Sequence, residues 1–450
     1  MKKWLQQFRF SFLLEEIERY GFHYSFKEYL MVMAGGMTGI WFLSEYLHLR
    51  VEMAALLGMI YLLLLPGGIR MQFRYLYEQK RFEDITTYMQ YLMYSFKRNR
   101  KIVVALDDTA ILCSGELQPL MVQAMEKILY SDARPGIYQE AFAIIEEQYE
   151  CIRLSSIHSF LIQAERKGGN PSKSLQILQD DLQNWVENTY AYQKERKNLQ
   201  TKVMISIGLS AIISMMMYRL LPLESGDIAS SPIYQVVTTG LLISFLFLIM
   251  LSQKAMVHSW LKDDHKPDEK QFARDYELYT SGKGSRRKRR YARKRMEKEV
   301  LLAFPVWLRE LALYLQTENV YNAILKSIEN CSYVLEEVLT KTLAKIEQEP
   351  NNMASYCTFF EGCKMSELQS VFIMLYSMTE IGSEESDEQI YNIMQRNNLL
   401  TDKAAKLANE DAGFLFAIYM LMPMVLSAAK LLVDMGLFMM QFMAHYSTFV

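Results

Sequence analysis

Residues 164–171 read Ala164-Glu165-Arg166-Lys167-Gly168-Gly169-Asn170-Pro171, and a long helical run then leads from Ser172 into an apolar segment starting at Val203. The glycine pair ends one helix and lets the next turn back, with Asn170 or Ser172 as its N-cap and Pro171 in its first turn. No strand precedes the pair and no Walker lysine follows, so phosphate binding drops away. What remains is a hinge-like corner between a water-soluble helical domain and a membrane span. Glu165 either shapes a partner surface there or serves only the turn. A fainter version, Thr379-Glu380-Ile381-Gly382-Ser383, precedes another apolar segment at Gly413.

Outward from this corner, composition sets the class. The 450 residues are 51% hydrophobic, with 30 Met and 28 Tyr, and the net charge of -2 hides a segregated distribution. Nearly uncharged apolar segments alternate with stretches dense in Lys, Arg, Glu and Asp, as in a membrane protein with aqueous domains. Cys113, Cys151, Cys331, Cys357 and Cys363 are odd in number and form no CxxC pair. They read as reduced thiols on the cytoplasmic side, not as a disulfide framework or zinc site. Arg9, Glu15, Glu16, Glu18 and Arg19 interrupt any signal-peptide core, so the first apolar segment is expected to stay in the membrane.

A helix needs about 20 mostly apolar residues to cross the hydrocarbon. Five segments are candidates: 29–46, 53–69, 203–221, 233–252 and 413–429. The first four pair into two hairpins, the earlier of which could also be a buried hairpin of a soluble protein. Lys and Arg flank the outer ends of both hairpins, whereas the link at 222–227 has only Arg219 near its edge. The positive-inside rule therefore puts those ends in the cytoplasm, and a single crossing by the fifth span puts the C-terminus outside. Gly35 and Gly39 have the spacing for close helix approach, or give plain flexibility. Arg219 and Asp434 read as snorkelling residues at span edges.

The expected order is a cytoplasmic segment over 1–28, a transmembrane hairpin over 29–69, a helical domain over 70–202, and a second hairpin over 203–252. A polybasic linker over 253–298, a second helical domain over 299–411, and a terminal span with a Met/Phe-rich tail over 412–450 follow. In the first domain Ile85, Tyr88, Met89, Leu92 and Phe96 recur at helical spacing, and turn residues divide the stretch into about six helices. In the second, Phe304, Trp307, Leu308, Leu311 and Leu315 form one face. Superposing Glu165 on Glu380 places Leu175 on Ile390 and Leu178 on Ile393, which suggests a diverged duplication. The run from Arg286 to Arg295 is either a solvated linker that fixes topology or a contact for anionic lipid. It lacks the recognition fold of a nucleic-acid binder.

No GxxxxGK[ST], HExxH or GxSxG motif occurs, and the six histidines show no ligand spacing. The chain is therefore read as a non-enzyme, with no catalytic, cofactor-binding or metal-ligating residues and no cofactor.

Phe82-Glu83-Asp84-Ile85, then Ala164 to Asn170, a long polar helix and a span, resemble the F-domain family of type II secretion and type IV pilus platform proteins. A second copy runs from Phe304-Pro305-Val306-Trp307-Leu308 to Thr379-Glu380-Ile381-Gly382, with Ser383-Glu384-Glu385-Ser386 in place of the glycine-and-asparagine turn. Two spans, a domain and two spans resemble the platforms of Flp (Tad) pilus systems, and the added domain and span resemble duplicated type II platforms. The fold implied is all-α: a polytopic membrane protein with about five transmembrane helices and two cytoplasmic six-helix-bundle-like F-domains. The role implied is an inner-membrane platform that couples a cytoplasmic assembly ATPase to pilin or pseudopilin subunits, in a homo- or hetero-oligomer with other platform subunits in the lipid bilayer. By position, Glu165, Gly168 and Gly169, and more loosely Glu380 and Gly382, match the family motif as partner-contact candidates. The alternatives are a transporter or channel component and the platform of a sporulation-type secretion complex.

Overall fold

The computed structural model describes residues 10–130, 136–168, 172–220, 228–261, 268–281, 285–316, 318–329, 331–358, 365–380 and 386–447. Every regular element among them is helical. The chain is an all-α polytopic protein in which four helices are long and apolar enough to cross a membrane. These are α3 (Val51–Asn99), α8 (Ser172–Leu220), α9 (Pro232–Met256) and the Gly413–Met443 stretch of α16 (Ser386–Ser447). The segment at 29–46 does form a helix, α2 (Phe26–Tyr46), preceded by α1 (Phe10–Arg19), but its three glycines and Glu45 dilute its apolar content and it is not among the four. The last span does not stop at 429, because α16 carries the Met/Phe-rich tail on as continuous helix.

The chain divides into two compact units, the first made of residues 1–81, 191–259 and 411–450. Here α2 opens with a capping box. Ser25 Oγ accepts the Glu28 N–H at 3.3 Å, and the Glu28 carboxylate accepts the Ser25 N–H at 2.8 Å. The hairpin of α2 and α3 closes at Gly36, where a Cβ would lie 2.0 Å from the Tyr61 hydroxyl. That hydroxyl donates to the Val32 carbonyl at 2.9 Å, so a tyrosine side chain lies across the glycine. Of the two readings of Gly35 and Gly39, close approach is not seen within this chain: nothing lies within 4 Å of a Cβ at either, and the close approach is one residue away.

Leu57, Val203, Leu241, Leu242, Phe245 and Phe416 form the core of this unit. Serines join α8 to α16. Ser206 Oγ donates to the Met420 carbonyl at 2.6 Å, and Ser427 Oγ donates to the Ser210 carbonyl at 3.2 Å. Small hydroxyl residues suit such seams because they let helices approach and satisfy their own polar atoms. The Gln235 side chain donates to the His48 and Ala229 carbonyls and accepts the Arg50 N–H at 2.8 Å, tying the link between α2 and α3 to the start of α9.

The second unit comprises residues 82–190 and 260–410 and holds two helical bundles. The first is built from the end of α3, α4 (Ile102–Ala110), α5 (Leu117–Tyr130), α6 (Ile137–Tyr149), α7 (Ile152–Lys167) and the start of α8. Its core gathers Phe82, Tyr88, Leu92, Phe96, Phe142 and Leu154. The second repeats that order with α11 (Arg286–Leu315), α12 (Val320–Ile328), α13 (Tyr333–Gln348), the four-residue α14 (Met353–Tyr356), α15 (Ser366–Glu380) and the start of α16. Trp307 anchors its core, stacked on Phe372 at 5.8 Å and donating its indole N–H to Ser327 Oγ at 2.9 Å. Leu175, Leu178, Ile390 and Ile393 are all buried. The stretch at 253–298 contains α10 (Glu269–Thr280) and the first turns of α11, whose Ala292 and Met296 are buried.

Candidate functional site

Each residue of the Glu165 corner answers a need of the backbone. Helix α4 starts at Lys101, whose side chain gives no cap, so its first N–H groups lack a local partner. The Glu165 carboxylate arrives from the end of α7 and accepts the Ile102 N–H at 2.8 Å. Tyr138 Oη donates to its other oxygen at 3.5 Å, and Lys101 Nζ lies 3.8 Å away. Burial and the neighbouring carboxylate push the Tyr138 hydroxyl above the usual phenol pKa, which keeps it a donor. A negative group at the positive end of a helix is doubly favourable there. Gly168 then ends α7 with φ +69, a value that side-chain-bearing residues rarely adopt. Gly169, Asn170 and Pro171 lie outside the described residues.

The second bundle meets the same need differently. Its counterpart helix α12 is capped by Asn319, whose own side chain accepts the Asn322 N–H at 2.8 Å. Glu380 is therefore not needed as a cap and instead accepts the Tyr376 hydroxyl at 2.6 Å on an exposed surface. A cleft lined by Asn319, Tyr321, Tyr356 and Thr379 opens beside α12. Gly382 lies outside the described residues, so the structure brings Glu165 and Gly168 together in one corner and places Glu380 alone in the other.

One cluster of three buried charges among the described residues was not singled out from the sequence. Arg153 Nη1 donates to Asp181 Oδ2 at 2.5 Å, and Arg309 Nε lies 3.4 Å from the same oxygen. All three side chains are buried, and the Arg153 guanidinium stacks 4.9 Å from the Trp185 ring. Arg153 and Asp181 belong to the first bundle and Arg309 to the second. Nearby, Ile177 of α8 joins the second core, and Asn188 donates to the Asp402 carboxylate. One signal was available in the sequence: Asp181 stands among Leu178, Leu182 and Trp185, inside an apolar stripe.

His158 is buried in the first bundle, stacked on Phe142 at 3.8 Å. Its Nδ1 is 2.7 Å from Glu146 Oε1 and its Nε2 is 2.9 Å from Tyr88 Oη. Burial lowers its pKa, against the opposing pull of Glu146. A neutral ring that donates from Nδ1 and accepts at Nε2 satisfies both partners.

Lys430 and Asp434 lie within the apolar stretch of α16, both buried and paired with each other, with the Lys430 ammonium 4.8 Å over the Tyr234 ring. This corrects the reading of Asp434 as a snorkelling edge residue, since the apolar stretch runs past it to Met443. The Arg219 side chain lies outside the described residues.

Among the described residues no group of three or more His, Cys, Asp or Glu could hold a metal ion. Cys113, Cys151, Cys331 and Cys357 are free thiols, and burial first, then nearby carboxylates, push Cys113 and Cys331 up to about 11. Cys363 lies outside the described residues. These arrangements fix helix ends and bind elements together. No family model, no curated protein and no solved structure matches the chain.

Proposed function

We propose that this chain is the platform subunit of a secretion or pilus assembly machine of the F-domain type. In this reading both helical bundles face the cytoplasm and receive a separate ATPase, and the apolar helices guide pilin-like subunits out of the membrane. The observation that carries it is continuity: α3, α8 and α16, of 49, 49 and 62 residues, each run as one helix between a bundle and an apolar stretch. A helix of 49 residues is about 74 Å long at about 1.5 Å per residue, enough to carry a displacement from an aqueous domain into a bilayer. The excess of Lys and Arg beside the apolar stretches supports the cytoplasmic orientation.

The test is co-purification of the full chain with a secretion-type ATPase from mild detergent, together with filament assembly in cells. Deletion of residues 82–200, with the remaining spans still inserted, should abolish assembly. Retention of assembly would sink the proposal. A sporulation-type platform shares this fold and differs in substrate, and neighbouring genes encoding prepilins or sporulation proteins separate the two.

One observation favours a transporter or channel component instead, namely the buried Lys430–Asp434 pair, because ionisable groups inside a span often mark a pathway. Substrate-dependent flux in liposomes holding only this protein would support that reading. A Lys430→Met/Asp434→Leu double variant that keeps assembly while removing both charges would leave the pair a packing role.

A further inference from the structure

The basic run is neither a loose linker nor fully used by the fold. Ser285 caps α11 through its hydroxyl, which accepts the Lys288 N–H at 3.4 Å, so the run is helical from its first residue. Asp275 of α10 holds Arg295 with two hydrogen bonds, at 2.7 and 2.9 Å, and Glu297 holds Arg293 at 2.7 Å. The five residues before them, Arg286, Arg287, Lys288, Arg289 and Arg290, are exposed and form no ion pair among the described residues.

Helical spacing brings Arg286, Arg289, Arg290 and Arg293 onto one side, where with Tyr279 they line a single groove. Five cations crowd the positive end of the helix and no acidic residue stands in the first turn. Like charges and the helix dipole both disfavour that arrangement until an anion neutralises it.

We propose that the groove of Arg286, Arg289, Arg290, Arg293 and Tyr279 binds the phosphate headgroups of anionic phospholipid in the protein's own bilayer. The chemistry is a fork of guanidinium donors on phosphate oxygens, and the four apolar helices place such lipid within the same assembly. Binding removes the charge conflict at the start of α11, so the lipid orders the helix that seats it.

The test uses the full chain in nanodiscs of phosphatidylcholine alone or mixed with phosphatidylglycerol, with hydrogen exchange read over residues 286–295. Anionic lipid should slow exchange there by about tenfold or more. The triple variant R286Q/R289Q/R290Q should lose this response, whereas R287Q/K294Q, which keeps the groove, should retain most of it. Equal exchange in both nanodiscs overturns the proposal, and equal loss in both variants overturns the groove in favour of bulk charge attraction. Two further arms add inorganic phosphate or a single-stranded oligonucleotide to neutral nanodiscs. Protection by either of these without protection by anionic lipid overturns the lipid assignment.

Discussion

Glu165 and Glu380 occupy matched positions but do different work, and substitution should separate them. Glu165→Ala removes the acceptor for the Ile102 N–H and should cost about 0.5–2 kcal/mol, as other lost caps do. Glu380→Ala breaks only an exposed contact to Tyr376 and should change stability little. Unfolding midpoints in detergent, with exchange read over residues 102–110, check both, and equal losses would contradict the assigned roles. His158 adds a pH dependence. Its folded pKa is depressed by burial, so its contribution is fully present above the ordinary histidine value of about 6.5 and is lost as pH falls from there toward the folded pKa. Acidification below that value should destabilise the first bundle, and His158→Gln should flatten the pH profile of Trp185 fluorescence on unfolding. Both roles were only half legible in the chain. Glu165 stood out by its place before two glycines, but that it would cap a helix more than sixty residues upstream depends on packing that no local pattern encodes.

Among the elements, the periodic ones were the easiest to read. Leu175, Leu178, Ile390 and Ile393 follow helical spacing in the chain and are buried in the fold, because a face that must leave water repeats with the helix. Glycine in the first hairpin was harder, since spacing marks where close approach is possible and not which side chain fills it. Gly36→Ala would put a methyl group into Tyr61 and break its bond to Val32, so hairpin stability should fall by about 1–3 kcal/mol. Tyr61→Ala in the same chain should recover part of that loss if the clash is its cause. Thermal aggregation of the purified single and double variants is the measurement. The end of the last span was hard to read for a related reason: Lys430 reads as a flank when charge is counted one residue at a time, but it is tolerated inside the helix because Asp434 stands one turn on.

At the scale of the whole molecule, the sequence indicates two similar domains but not how they are joined. In the second unit they share one aspartate, reached by Arg153 from the first bundle and by Arg309 from the second. Removing a single partner leaves buried charge uncompensated, so Asp181→Ala should lower stability by about 3–5 kcal/mol. Replacing Arg153, Asp181 and Arg309 together by apolar residues of similar size should restore most of the loss. If the joint matters for the proposed coupling, the triple variant will fold and yet assemble filaments poorly, whereas normal assembly would make the triad a structural lock alone. Denaturant midpoints and filament counts, taken on the same variants, distinguish the two.

The shared aspartate also imposes an order on biogenesis. The ribosome makes Arg153 and Asp181 first and reaches Arg309 more than a hundred residues later, after the whole of the apolar helix α9. At roughly 5–20 residues per second, that delay is on the order of ten seconds. Through that interval the nascent first bundle presents Ile177 and the Arg153–Asp181 pair without the second bundle that buries them. A translation pause before residue 309 would lengthen the time for which those groups wait for Arg309.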